Sequence, residues 1–319
     1  MRRVALAVSM AVVTAGLWPA SVSVAVPPPG APSCHVFPRN NVWHADISDL
    51  PVNKHSKQWL ATMHAGSTFL HPDFGPSGGF PYGIPYTTVG GSHRRVHVKF
   101  QYASESDPGP YPFGPRTPIE GGQNAKGDRH AIMIDRDRCI LYELYNAHYS
   151  RRGSTAGSGA IWHLGSNRLR PAGSTSADAA GLPIFAGLVR LDEVEKKGVV
   201  DHAIRFTAER TDRKYIWPAR HQAGEAVNAG LPPMGARFRL KASFPIRRYR
   251  ADTRVILRAM KKYGLILADN GSNWYFEGTA EKGWPNAMLD QLKTIPASAF
   301  VAVDESSLMV SKGSGAVKP

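Results

Sequence analysis

The chain has 319 residues, 42% of them hydrophobic, which is enough for a packed core and excludes a chain that is disordered throughout or a coiled coil. It carries 39 Lys and Arg against 25 Asp and Glu, a formal charge of +14. Its 31 Gly and 25 Pro follow no collagen-like period and imply many turns between short elements.

Met1, Arg2 and Arg3 form a basic start, and VALAVSMAVVTAGLW follows as an apolar stretch too short for a comfortable bilayer span, the pattern of a secretory signal peptide. Ser23, Val24 and Ala25 make a small-x-small site. Cleavage is predicted after Ala25, with Ala20 as the competing site, leaving residues 26–33 as an extended start. Loss of Arg2 and Arg3 lowers the charge from +14 to +12. No second apolar stretch is long enough to anchor the chain, so secretion without a transmembrane anchor is expected. In an oxidising compartment the two cysteines, Cys34 and Cys139, are expected to pair.

Further along, His55 to His64 places Trp59, Leu60 and Met63 on one helical face. FGPSGGFPYGIPY reads as an irregular loop pinned by aromatics. Period-two segments follow: VHVKFQY; HAIMID and CILYELY, which flank Arg136 and Asp137 as a hairpin; HAIRFT; KYIW; and GARFRLKASF, which sets Phe238 and Leu240 opposite Arg237, Arg239 and Lys241. TRVILRAMKKYG has helical spacing and a glycine stop at Gly264. LILADNGSNWYFEG reads as two strands turning about Asn270 and Gly271, and a last short helix carries Leu289 and Leu292. The expected fold is mainly β, a β-rich α+β single domain over 34–308. An antiparallel sandwich or jelly roll with a few short helices is predicted, followed by a disordered tail at 309–319.

Several blocks, GDRHAIMIDRDRCILYELY, TSADAAGLPIFAGLVRLDEVEKKGVVDHAIRF, WPARH, PPMGARFRLKASF and YGLILADNGSNWY, resemble a group of secreted bacterial proteins of uncharacterised function. The resemblance covers about residues 80–308. It implies one exported domain and brings no activity, cofactor or fold with it.

There is no Gly-x-Ser-x-Gly elbow, Ser-x-x-Lys, helical His-x-x-x-His, Cys-x-x-Cys or dinucleotide fingerprint, so no metal and no cofactor is expected. The best constellation is the hairpin. A loop over Asp135 to Arg138 sets His130 opposite Glu143, while a three-residue loop opposes His130 to Leu144; the first register would bring an imidazole and a carboxylate within reach for acid and base work. Asp107, in ASESDPGPYP with Glu105, and Asp178, among small residues in STSADAAG, are candidate partner carboxylates; each also suits a turn or cap. His202 is a candidate base, and Asp269 reads as turn chemistry. Arg205 could neutralise a substrate carboxylate, and Trp162, Trp217, His221 and Trp274 could line or stack against a sugar site.

The expected function is that of an exported carbohydrate-active enzyme, a glycoside hydrolase or polysaccharide lyase acting on an extracellular or cell-wall polysaccharide. The alternative is a non-catalytic glycan- or envelope-binding protein. The basic residues between Arg237 and Arg250 could attract an anionic polymer or form a solvated face. A polysaccharide or cell-envelope polymer is the expected partner of a monomer, and nucleic acid is not.

Overall fold

A computed structural model describes residues 26–77 and 80–318, so the expected signal peptide lies outside the described residues. The strands are β1 (His71–Pro72), β2 (Gly75–Ser77), β3 (Phe80–Tyr82), β4 (Tyr86–Val89), β5 (Val98–Phe100), β6 (Ala131–Asp135), β7 (Ile140–Tyr145) and β8 (Ser154–Ala156). They continue as β9 (Ser158–His163), β10 (Ile204–Ala208), β11 (Arg237–Leu240), β12 (Leu265–Asn270), β13 (Tyr275–Phe276) and β14 (Phe300–Val303). Helices α1 (Ser56–Thr62), α2 (Ala251–Lys262) and α3 (Asn286–Leu292) fall within or beside the segments whose spacing predicts them. No described helix is long and apolar enough to cross a membrane.

The β-rich α+β character stands, but the pairing is mixed rather than antiparallel. One sheet runs β1-β13-β10-β12-β11-β14, another runs β4-β6-β7-β9, and β2-β3 and β5-β8 form two short ribbons. β10 with β12, β4 with β6, β5 with β8 and β1 with β13 are parallel. The segment about Asn270 and Gly271 is not a hairpin: β10 lies between β12 and β13, and Gly271 and Trp274 donate their N–H groups to Ala208 and Thr207 of β10. Gly271 leaves room for this crossing, since a Cβ there would come 3.0 Å from Thr207 Cβ.

The β6–β7 hairpin exists in neither predicted register. Asp135 pairs with Ile140 and Ile132 with Glu143, so Arg136 to Cys139 form the loop and His130 meets Tyr145, with ring centroids 5.8 Å apart. Two local features set this. Asp135 accepts the N–H groups of Asp137 and Arg138 at 3.1 Å, closing the turn behind the strand. Cys139 takes φ 51°, outside the extended range, where its disulfide to Cys34 holds it. The hairpin is covered on both faces. Ile132, Ile134 and Leu141 enter the main core, while Ala131, Met133, Tyr142 and Leu144 join a second cluster with Tyr111, Phe113 and Ile119.

At the centre the two larger sheets communicate through an irregular stretch, residues 177–189. Glu143 on β7 accepts the N–H groups of Ile184 and Phe185 at 3.1 and 2.8 Å, and Trp162 Nε1 at 3.2 Å. On the other side Gly187 sits so close to β10 that a Cβ would lie 2.7 Å from Arg205 Cβ and 2.8 Å from its backbone nitrogen. Buried irregular backbone must find partners elsewhere. Ala180 N donates to Ala268 of β12, Val189 N donates to Glu277, and the Ser176 hydroxyl accepts from Asp178 N at 2.9 Å.

The predicted disordered tail is a strap. Gly315 N donates to Asn167, Val317 N donates to Asn40, and Ser314 accepts Trp217 Nε1 at 2.8 Å. The extended N-terminal residues are tied down as well, with Ala31 and Cys34 buried in the main core.

Gly187→Ala should therefore cost roughly 1–3 kcal/mol, because backbone rather than a movable side-chain tip meets the new methyl. Glu143→Gln should cost a similar roughly 1–3 kcal/mol by aiming an amide NH₂ at backbone donors. Urea unfolding checks both, as a lower midpoint at unchanged slope.

Candidate active site

Arg205 is the second residue of β10, with its side chain on the face that meets residues 177–189. Its neighbours on either side bring carboxylates to it. On β13 the pairing of Phe206 with Phe276 places Glu277 beside Arg205, and the two form an ion pair through Nη1. On β12 a bulge decides the outcome. Phe206 pairs with Leu267 but Thr207 with Asp269, so Ala268 is the extra residue. Without it, Asp269 would align with Ala208 and point to the opposite face; with it, Asp269 shares the face of Arg205, and its Oδ2 lies 3.7 Å from Nη2. From the intervening stretch Asp178 closes a bidentate pair, Oδ2 to Nε at 2.9 Å and Oδ1 to Nη2 at 2.7 Å.

One guanidinium thus faces three carboxylates, and Arg205 and Asp178 are buried. A single positive charge does not balance three negative ones in a poorly solvated site, so protons are retained. Burial, and then the Asp178 carboxylate, push Asp269 up to about 7 against the pull of Arg205. Burial likewise lifts Glu277 to about 8, with Arg205 opposing and Asp178 and Asp269 adding to it.

His130 packs against the same stretch. Its Nδ1 lies 2.6 Å from Glu120 Oε2 and its Nε2 lies 3.2 Å from the Ala177 carbonyl. Both ring nitrogens face acceptors, which requires both to carry hydrogen, the imidazolium form. Burial works against that charge, but Glu120 outweighs it and raises the pKa to about 9. The ring therefore holds Ala177, and with it Asp178, in place.

Beside Asp178 and Asp269, the carboxylates that meet Arg205, opens a cleft of about 420 Å³ lined also by Tyr102, Glu105, Asp128, Tyr145 and His221. His221 Nδ1 meets the Ala179 carbonyl at 3.0 Å and Nε2 lies 3.7 Å from Glu105. Among the described residues no group of three or more His, Cys, Asp and Glu side chains is arranged to hold a metal ion.

Of the residues singled out from sequence, Asp178 and His221 line the cleft, Arg205 is buried behind it on Asp178, and His130 braces Ala177 in its wall. The others lie elsewhere. Glu143 is fully buried, its pKa raised to about 7 by burial despite its three donors, and its oxygens are spent on the backbone of 184–185 and on Trp162. Asp107 accepts from Ile161 N at 2.8 Å and pairs with Arg170. His202 is buried against Glu193. Trp162 and Trp274 are core residues, with Trp274 Nε1 donating to Met63. Trp217 lines a separate groove with Trp59 and Tyr215.

Asp269, Glu277 and Glu120 complete the site. Asp269 is masked in the sequence by its turn-like neighbours Asn270 and Gly271. Asp128, Tyr145, Asp178, His221 and Asp269 reach one cleft from separated segments of the chain, so no local pattern joins them.

These protonation states make folding take up protons. His130 rises from 6.5 to about 9, so its stabilisation is complete below pH 6.5 and is lost as pH climbs through 9. Asp269 and Glu277 act in the same direction, staying protonated in the fold up to about 7 and 8 while the unfolded chain ionises near 4. Stability to urea should fall steadily from about pH 6 to about pH 9. His130→Gln should cost on the order of 2–3 kcal/mol at the acid end of that range and little at its alkaline end. No protein-family model, no curated protein and no solved structure matches the chain.

Proposed function

We propose that the protein is an exported carbohydrate-active enzyme and that the Arg205 cleft performs glycoside hydrolysis. The observation that carries this reading is the set of three carboxylates sharing one buried guanidinium beneath an open cleft. Hydrolysis of a glycosidic bond needs a carboxylic acid that still holds its proton near neutral pH and a second carboxylate that stays ionised. Asp269 is the acid: its side chain is 27% exposed, so it can reach a leaving-group oxygen. Asp178, at the cleft wall with both oxygens held by Arg205, is the partner carboxylate in an electrostatic role, a fixed negative charge for the cationic transition state rather than a mobile nucleophile. Tyr102 and Tyr145 give the cleft flat rings for the apolar faces of a sugar.

The same charges argue against a lyase acting on uronates. Such an enzyme needs a free cation to neutralise the substrate carboxyl as the α-proton leaves. Here Arg205 is consumed by Asp178 and Glu277, and the cleft wall carries Glu105, Asp128, Asp178 and Asp269. A neutral or amino-sugar polymer suits that wall; a polyanion is repelled by it.

Two of the basic residues on β11 are taken out of the positive face that its alternation suggests. Arg237 is buried on the carbonyls of Val42, Ala45 and Tyr263 and on Glu305, and Arg239 binds the carbonyls of Ile47, Ser48 and Leu50.

Reducing-end release by the purified exported protein, measured across neutral, amino-sugar and uronate polysaccharides, tests this reading. Release from a neutral or amino-sugar polymer is expected, declining above about pH 7 as Asp269 ionises. Asp269→Asn should lower the rate by about 100-fold or more with the melting temperature kept. Unsaturated uronate products would establish the lyase instead, and retention on a polymer without any release would establish the binding protein.

A further inference from the structure

A second buried charge cluster lies away from the cleft, where Val26 meets the helical turn at Asp192–Lys197 and the approach to β10. Val26 N lies 3.1 Å from Asp201 Oδ2, and the Val26 carbonyl accepts from Arg190 Nη2 at 2.9 Å. Arg190 in turn pairs with Glu193 at 2.6 Å and stands 3.5 Å from Asp192. His202 reaches Glu193 through Nε2 at 3.2 Å and the Ala203 carbonyl through Nδ1 at 2.7 Å, so both ring nitrogens face acceptors and the ring is an imidazolium. Asp192, Glu193 and Asp201 thus oppose Arg190 and His202, three negative charges against two, and all five side chains are buried.

A peptide N–H at Val26 would satisfy one oxygen of Asp201 and leave its charge to His202 alone, an imidazolium whose Nε2 is already paired with Glu193. A buried carboxylate without a counter-charge is costly. An α-ammonium group at the same nitrogen supplies the missing positive charge without moving an atom of the surroundings. The three residues before Val26 are Ser23, Val24 and Ala25, with small side chains at the first and third positions as an export peptidase requires.

We propose that cleavage of the Ala25–Val26 bond creates an N-terminal ammonium that pairs with Asp201 inside the fold, so that leader removal completes this buried cluster. In the step, water adds across the peptide bond: the carbonyl carbon of Ala25 takes the hydroxyl and ends as a carboxylate, and the Val26 nitrogen leaves as an amine that takes up a proton. Pro27, Pro28 and Pro29 stiffen the segment that follows. Cys34, disulfide-bonded to Cys139, fixes its far end to the hairpin loop. The short tether confines the new amine near Asp201 and lowers the entropy lost in docking it.

The test uses the exported protein, with N-terminal sequencing followed by acylation of the α-amine by an amine-reactive ester near neutral pH. Val26 should be the first residue, and its amine should react at least about tenfold more slowly in the native protein than in urea. Asp201→Asn should remove most of that protection and lower the melting temperature. A first residue at Ser21 or Met1 overturns the proposal, as does native acylation as fast as in urea, a comparison that needs no variant. An Asp201→Asn protein with unchanged protection and melting overturns the ammonium–carboxylate pairing. None of these outcomes depends on the chemistry of the Arg205 cleft.

Discussion

A guanidinium with almost no access to water organises the centre of this molecule. Burying Arg205 is tolerable only because Asp178, Glu277 and Asp269 surround it, and each comes from a different part of the chain. To deliver them, β12 carries a bulge, β13 lies beside β10, and residues 177–189 descend onto β10 with Gly187 against Arg205 itself. The far side of that stretch is fixed by Glu143 and His130, so the four-stranded sheet also takes its position from this contact. The surplus of carboxylates retains protons on Glu277 and Asp269, and the one on Asp269 is the property the proposed chemistry uses.

The basic composition has a structural use that a charge count hides. A chain rich in Gly and Pro has many irregular segments whose carbonyls lack ladder partners, and an Arg fork can satisfy several at once. Arg129 binds the carbonyls of Gln123, Ala125 and Ala147; Arg220 binds those of Arg170 and Lys312; Arg237 and Arg239 bind those of the segment from Val42 to Leu50. Arginine here substitutes for regular secondary structure. The positive charge is therefore partly internal, and the cleft lined by Glu105, Asp128, Asp178 and Asp269 is acidic despite it.

Much of the secondary structure was legible. Period-two alternation located β6, β7, β10 and β11, and helical spacing located α2, because each of these signals is local. The hairpin was legible as a hairpin, but its register depends on Asp135 capping the turn and on the backbone conformation of Cys139, which no alternation pattern reveals. Parallel pairing of β10 with β12 joins strands separated by some sixty residues of chain, and the polar residues that read as one face of β11 include Arg237, which is buried on partners remote in sequence.

The chain by itself determined its short-element, β-rich character, the positions of its main helices and central strands, and the pairing of its two cysteines, since composition, periodicity and an even cysteine count are readable residue by residue. It also marked Asp178, His130, Arg205 and His221 as worth weighing. Only the tertiary structure decided that these four converge, that Glu143 is a strut, and that Asp269 and Glu277 complete the group. The physical reason is that a site's chemistry depends on which charges share one poorly solvated volume. That is set by sheet order, a one-residue bulge and a close glycine contact, all of which act between segments far apart in the chain.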